Sequence, residues 1–399
     1  MASEPNRVSK MARIARVGRV FSPGAPVDKY ALFAGRREQV HDVINAVNMR
    51  SQHVVLYGER GVGKTSLANV LGEIFSDQEV GALNSGTVNC DRRDTFSTIW
   101  HKVLREITIS DREDDNATLN QWLSQDVSPE DVRYLLDFVP NGPIIILDEL
   151  DLIQDAETKA LIADTIKTLA DHSSPTTLVL VGVADSVDEL IEYHESLARS
   201  LVQVRMPRMS RSELFEIIDK GAETLGMEID KYASRTIAQR SEGLPHFTHL
   251  LCLYAFQRAV QDDRNKVTAD DVNEATKVAV AKTQQSILSA YHKATSSQQP
   301  ETLYGKVLLA CALAKTDALG YFAAKDIRGP LSRIAGKRYE IPAFSRHLKE
   351  LSATVRGPVL QQTGSERRFR FRFVNPMMQP FVIMHGLADG LITDEDLTT

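Results

Sequence analysis

The sequence predicts three structural parts in order: an α/β core with a mostly parallel sheet, an all-helical domain, and a small C-terminal module of three helices closed by a β-hairpin. Three observations carry this. Five short β-rich runs alternate with helical stretches between Tyr30 and about Pro207. Strand patterning then stops and four helical runs follow. Near the C-terminus three further helical runs lead into PVLQQ, a TGSE turn and RRFRFRF, which reads as a hairpin.

Residues 1 to about 28 carry Arg7, Lys10, Arg13, Arg16 and Arg19 at every third position. The pattern suits a basic amphipathic helix that orders on nucleic acid or a partner, an Arg-rich transit peptide, or a solvated tail; the tail is the expectation kept for residues 1–29. In the core (30–208) the strands are HVVLY (53–57), GTVNC (86–90), IIILD (144–148), TLVLVGV (177–183) and LVQVRM (201–206), continuous apolar runs that suit strands covered on both faces. The acidic DREDD (111–115) reads as a solvated loop.

The helical domain (209–300) opens at a capping box formed by Ser210 and Glu213 and ends in a long connector helix from Thr268 towards Ala294, with the polar SSQQP (296–300) behind it. In the C-terminal module (301–388), LYGKVLLACALA is an apolar helix, and Gly329-Pro330 interrupts a second helical pattern. A third helix opens after Pro342, with Phe344, Leu348 and Leu351 at i, i+4 and i+7. Three helices and a hairpin are the ground plan of a winged helix-turn-helix, followed here by a short tail (389–399).

A length of 399 residues, 43% hydrophobic and 25% charged, is globular composition. Cys90, Cys252 and Cys311 are far apart, which suggests neither a zinc site nor a disulfide framework and fits a reducing cytoplasm. No apolar run reaches the roughly 18 to 20 residues of a membrane span, so no membrane association is expected. The net charge of -6 hides an asymmetry: Ala324 to Asn375 holds 12 Lys+Arg against 4 Asp+Glu.

The loop Gly58-Glu59-Arg60-Gly61-Val62-Gly63-Lys64-Thr65, with Ser66 after it, matches GxxxxGK[ST] between an apolar strand and a helix. Its glycines let backbone N–H groups converge on phosphate oxygens, Lys64 adds a movable positive charge at the β/γ-phosphates, and Thr65 offers a hydroxyl to Mg²⁺. IIILDELD ends an apolar strand on Asp148, placed to hold Mg²⁺ through water, and Glu149, placed to orient or deprotonate an attacking water. Together they point to an ATP site with hydrolase chemistry. No [NT]KxD guanine-reading segment follows the fourth strand; NKVT (265–268) is misplaced and lacks the Asp.

With these motifs the sequence resembles the AAA+ ATPases, within them the replication-initiator and loader clade, together with the STAND-type signalling ATPases that share its parts. The resemblance spans Tyr30 to about Met384 and implies an α/β P-loop NTPase (AAA+) core with a parallel sheet, an all-α lid and a C-terminal winged helix. FAGRREQV (33–40) resembles the FxGRxxE segment that packs near the adenine. TLVLVGVADS resembles the strand carrying sensor 1, with Asp185 where Asn is usual; a carboxylate there would repel phosphate unless protonated or bridged by water or metal. ESLARSLVQVRMP (195–207) resembles the arginine-finger segment, with Arg199 the first candidate and Arg205 the second. GLPHFTHLL (243–251) resembles both the sensor-2 helix start and the GxP motif of the STAND group. His246 stands where an Arg is expected, so Pro245 or His246 contacts nucleotide, or His246 is a buried structural residue.

The third helix of the module exposes Arg346 and Lys349, and the hairpin strand puts Arg368, Arg370 and Arg372 on one face with Phe369, Phe371 and Phe373 on the other. Arginines so placed meet DNA phosphates, a partner protein, or water. The expectation is therefore an ATP- and Mg²⁺-dependent switch, slowly hydrolysing, with nucleotide between core and lid. It self-assembles so that Arg199 completes a neighbour's site, and it engages DNA. The alternative is a STAND-like signalling or defence ATPase whose C-terminal module docks a separate effector.

Overall fold

The computed structural model describes residues 4–76, 85–107, 125–139, 141–191, 197–296, 303–365 and 368–397; DREDD (111–115) and residues 297–300 of SSQQP lie outside them. Two compact units emerge: Ala25–Pro207, and Met1–Gly24 together with Arg208–Thr399. Helix α1 (Glu4–Val20), which opens the chain, belongs to the second.

The first unit runs α2 (Arg37–Val47), β1 (His53–Gly58), α3 (Lys64–Ser76), β2 (Ser85–Asn89), α4 (Phe96–Glu106), α5 (Pro129–Leu136), β3 (Ile144–Asp148), α6 (Ala156–Asp171), β4 (Thr177–Val183) and β5 (Leu201–Arg205). All five expected strands are present, in one parallel sheet of order β2-β3-β4-β1-β5. β3 is buried at every position because helices cover both of its faces. Trp100 and Leu104 of α4, Val132 and Leu136 of α5 and Ile162 and Ile166 of α6 build the core against Ile145 and Leu147. Thr95 and Ser128 start α4 and α5 by capping boxes. Parallel strands end at a common edge. The pairing of Gly58 with Val183, and of Leu147 with Leu180, therefore brings the ends of β1, β4 and β3 together there.

In the second unit, α7 (Arg211–Leu225) is opened by the expected Ser210–Glu213 capping box. It is followed by β6 (Glu228–Ile229), α8 (Lys231–Arg240), α9 (Pro245–Gln261), β7 (Lys266–Val267), α10 (Ala269–Ala281) and α11 (Gln285–Thr295). The pairing of β6 with β7 is two residues long, too short to leave a periodic signal. The long connector expected from Thr268 is two helices. Thr283 Oγ1 donates to the Ala279 carbonyl at 2.8 Å, competing with the backbone where the helix ends.

Next come α12 (Tyr304–Ala312), β8 (Phe322–Ala323), α13 (Ala324–Ala335), α14 (Ile341–Leu351), β9 (Leu360–Thr363), β10 (Arg370–Phe373) and α15 (Met378–Ala388). The strands form an antiparallel sheet β8-β10-β9. Pro330, expected to interrupt its helix, lies inside α13; Ile327, Pro330 and Leu331 make one buried stripe that holds the helix together. Phe371 and Phe373 face the core, whereas Arg368 and Phe369 precede β10.

The N-terminal segment differs most from expectation. Instead of a solvated tail, α1 packs against α7 and α9, burying Val17, Val20 and Phe21, while Arg13, Arg16 and Arg19 stay exposed. Lys10 pairs with Asp263 at 2.8 Å, and Arg16 donates to the Thr224 carbonyl. At the other end of the chain, Asp394 accepts from buried Arg240 at 2.9 and 2.8 Å.

Candidate functional site

The loop between β1 and α3 takes the conformation its residues require. Gly61 and Gly63 have φ of 86° and 95°, which L side chains rarely adopt, and Val62 between them is fully buried. Helix α3 starts at Lys64, so Thr65 and Ser66 lie in the first turn, at the positive end of the helix dipole. Ser66 Oγ accepts from the Val27 amide at 3.1 Å. Lys64 Nζ donates to the carbonyls of Gly58 at 3.0 Å and Glu59 at 2.8 Å. Burial lowers the Lys64 pKa to about 8, against the opposing pull of the Asp151, Asp148 and Glu59 carboxylates.

Asp148 closes β3, buried, and its Oδ1 accepts from the Glu149 amide at 2.7 Å. β4 lies between β1 and β3, so Asp148 stands two strand spacings, about 10 Å, from the phosphate-loop strand. Glu149 has φ of 58°, and partial burial, then Asp148 and Asp151, raise its carboxyl pKa. Asp185, half-buried, follows β4 by two residues and so shares this edge; its amide donates to Glu189 at 3.0 Å. The structure thus brings Lys64, Thr65, Asp148, Glu149 and Asp185 to one end of one sheet.

Two residues given no role from the sequence belong here. Arg36, at the N-cap of α2, is buried and donates to the Val62 carbonyl at 2.8 Å, bracing the loop from behind. Asp151 accepts from the Val183 amide at 2.7 Å, tying the turn after β3 to the end of β4. Both lie in stretches already singled out, but their roles depend on partners distant in sequence.

The two arginine-finger candidates separate. Leu201 pairs with His53, and Gln52 donates to the Arg199 carbonyl at 2.6 Å, so exposed Arg199 lies at the edge where β1 begins. The length of β1, about 17 Å, separates that edge from its own phosphate loop. Arg205 pairs with Tyr57, next to the loop.

In the other unit, Pro245 is at the start of α9 and His246 Nδ1 bonds the Pro23 carbonyl at 2.7 Å; burial lowers the His246 pKa. Arg346 pairs with Glu350 at 2.7 Å and Arg370 with Asp317 at 2.8 Å. Arg372 bonds Gln361 at 2.7 Å and lies 4.7 Å from the Tyr321 ring centroid, while Lys349 and Arg368 are exposed. Among the described residues no three or more His, Cys, Asp or Glu side chains gather as a metal site, and no helix is long and apolar enough to cross a membrane.

Residues 26–315 match the family model described as Novel STAND NTPase 1. The chaperone protein ClpB 1 of Synechocystis sp. is 30% identical over 121 residues, which are 27% of this chain and 14% of that protein's length. Among solved structures, the Aeropyrum pernix ORC2 protein is similar at TM-score 0.51 and 16% identity, over 95% of this chain and 97% of that one. Cdc6p from Pyrobaculum aerophilum is similar at 0.48 and 15%, over 94% and 99%.

Proposed function

The chain belongs to the Novel STAND NTPase 1 family, and from that membership we propose an ATP-binding, slowly hydrolysing molecular switch. One observation carries the reading: a buried lysine, framed by phosphate-loop carbonyls and three carboxylates, stands at the sheet edge where Asp148 and Glu149 also end. The similar ORC2 protein was solved with ADPNP and ADP.

Gly58 to Ser66 and the α3 N-terminus would cradle the triphosphate, with Lys64 exchanging its carbonyl partners for β/γ-phosphate oxygens. Thr65 and Asp148 would hold Mg²⁺, because a hydroxyl in the first turn of α3 and a strand-end carboxylate are the oxygen ligands that ion takes; bound there, it would offset phosphate charge. Glu149, its basicity raised, orients water for attack on the γ-phosphorus and accepts its proton as the bond to the bridging oxygen breaks. Asp185 can assist through water or metal. A second copy would supply Arg199. His246 occupies the sensor-2 place, held to Pro23, which suits slow turnover.

The C-terminal three helices and hairpin suit a winged helix as the output module. Its charge pattern supports contact with DNA phosphates through Arg346, Lys349, Arg368, Arg370 and Arg372. A second reading, docking of a separate effector, is favoured by the pairs Arg370–Asp317 and Arg346–Glu350, which neutralise part of that surface. Duplex binding across salt concentrations, with and without ATP, separates the two. DNA contact gives a log–log slope of about -0.9 per neutralised phosphate, reduced when Arg368, Arg370 and Arg372 are replaced. Absence of nucleic-acid binding at every salt concentration selects the effector reading, and normal ATP binding by Lys64→Ala removes the switch itself.

A further inference from the structure

Arg36 has a second carbonyl partner. The Nη2 that donates to Val62 within the phosphate loop also donates to Pro207 at 2.6 Å, and Pro207 is the last residue of the α/β unit. The backbone beside it is equally constrained. The Met206 amide donates to Tyr57 at 2.7 Å, and a Cβ on Gly58 would lie 2.4 Å from the Met206 carbonyl oxygen. Met206 and Pro207, just after β5, are therefore held at three points: by Arg36, by Tyr57 at the end of β1, and by close approach to Gly58 of the phosphate loop.

Across the peptide bond from Pro207, Arg208 Nη1 donates to Gln379 of α15 at 2.8 Å. Gln379 is buried and passes the connection on, its Nε2 donating to the Ala312 carbonyl at the end of α12, 3.0 Å away. Two consecutive residues thus anchor to different machinery: Pro207 to the phosphate loop, Arg208 to the C-terminal module.

We propose that Arg36 is a positioning residue that makes the phosphate loop and the Pro207–Arg208 junction move together, so that nucleotide at the loop is read out at α15 through Arg208 and Gln379. The inference rests on the ATP reading. Phosphate competes with the carbonyls of Gly58 and Glu59 for the Lys64 ammonium, so binding changes the forces on both residues. Gly58 cannot shift without Met206, nor Val62 without Arg36. An arginine suits this position because its planar fork keeps a fixed geometry between two acceptors; a lysine offers a single point of charge.

The test is amide hydrogen exchange over Met378–Ala388 in the full chain, with Mg²⁺ and either ADP or a non-hydrolysable ATP analogue, alongside directly measured nucleotide affinity. In the wild type, exchange in α15 changes on nucleotide binding. Arg208→Ala and Gln379→Met keep affinity within about twofold, neither side chain being one that holds nucleotide, yet lose the α15 response. Arg36→Lys loses the response and weakens nucleotide by about tenfold, the worth of one charge-assisted hydrogen bond. A response that persists in both Arg208→Ala and Gln379→Met overturns the proposal, as does a wild type that binds nucleotide with no change in α15. A wild type that binds no nucleotide refutes the functional reading instead, and this inference with it.

Discussion

Phe21 lies against Gly221 with no room for a side chain between them: a Cβ on Gly221 would stand 2.2 Å from Phe21 Cζ. The ring cannot swing aside freely, because Phe256 and His249 flank it at centroid distances of 5.0 and 6.0 Å. Gly221→Ala gains up to about 1 kcal/mol of helix propensity in α7 but costs about 1–3 kcal/mol of overpacking. The expected result is a lower Tm and faster proteolysis within α1. A raised Tm with α1 still protected would show that the contact is slack.

Lys64 provides a thermodynamic signature of phosphate binding that needs no mutation. With its pKa lowered to about 8, the ammonium is half protonated at that pH, and a phosphate beside it favours the charged form. Binding at pH 8 should therefore take up about half a proton at Lys64, and less at pH 7, where the group is already charged. Calorimetry in buffers of different ionisation enthalpy reads this directly. Uptake that does not fall between pH 8 and pH 7 places the phosphate away from Lys64.

Most of the α/β core was legible because buried parallel strands are continuous apolar runs, and the phosphate loop because its glycines and Lys64 are contiguous. What stayed hidden depends on distant partners. Arg36 sits in a quoted segment, yet its role follows from Val62 and Pro207, the latter 171 residues away. The basic spacing of α1 reads as a solvated face, and only the burial of Val17, Val20 and Phe21 shows that the opposite face is packed. The arginine row was legible as a row; that Arg370 meets Asp317 and Arg372 meets Gln361 was not, since both partners lie outside β10.

The register of β5 decides how Arg199 can act. Separated from its own phosphate loop by the length of β1, Arg199 in the proposed finger role would serve a site on another copy, whereas Arg205, opposite Tyr57, lies beside its own loop. Arg199→Ala should lower ATP hydrolysis by about 10³-fold or more. Mixing it with Glu149→Gln should restore activity, since the second variant lends an intact Arg199 to a site with an intact Glu149. Arg205→Ala should not be rescued in this way. Full activity of Arg199→Ala alone reduces it to a surface cation.

His53 sets an acid limit on the α/β unit. The ring is fully buried in β1, its Nδ1 accepts from the Leu178 amide at 3.1 Å, and burial lowers its pKa to about 4. Protonation would put a hydrogen on Nδ1, the nitrogen that now accepts, and turn it towards a donor. Between pH 6.5 and about 4 the unfolded chain binds a proton that the folded unit refuses, so stability is complete above 6.5 and falls as the pH drops. The full shift corresponds to about 3 kcal/mol. His53→Gln keeps an acceptor for Leu178 without titrating, so the Tm of this unit should fall less steeply over that range. His249, lowered to about 4 by burial and by His246, acts in the other unit and should leave that transition as acid-sensitive as before. Superimposable Tm–pH profiles for wild type and His53→Gln would mean that the ring finds a relaxed, protonated arrangement within the folded sheet.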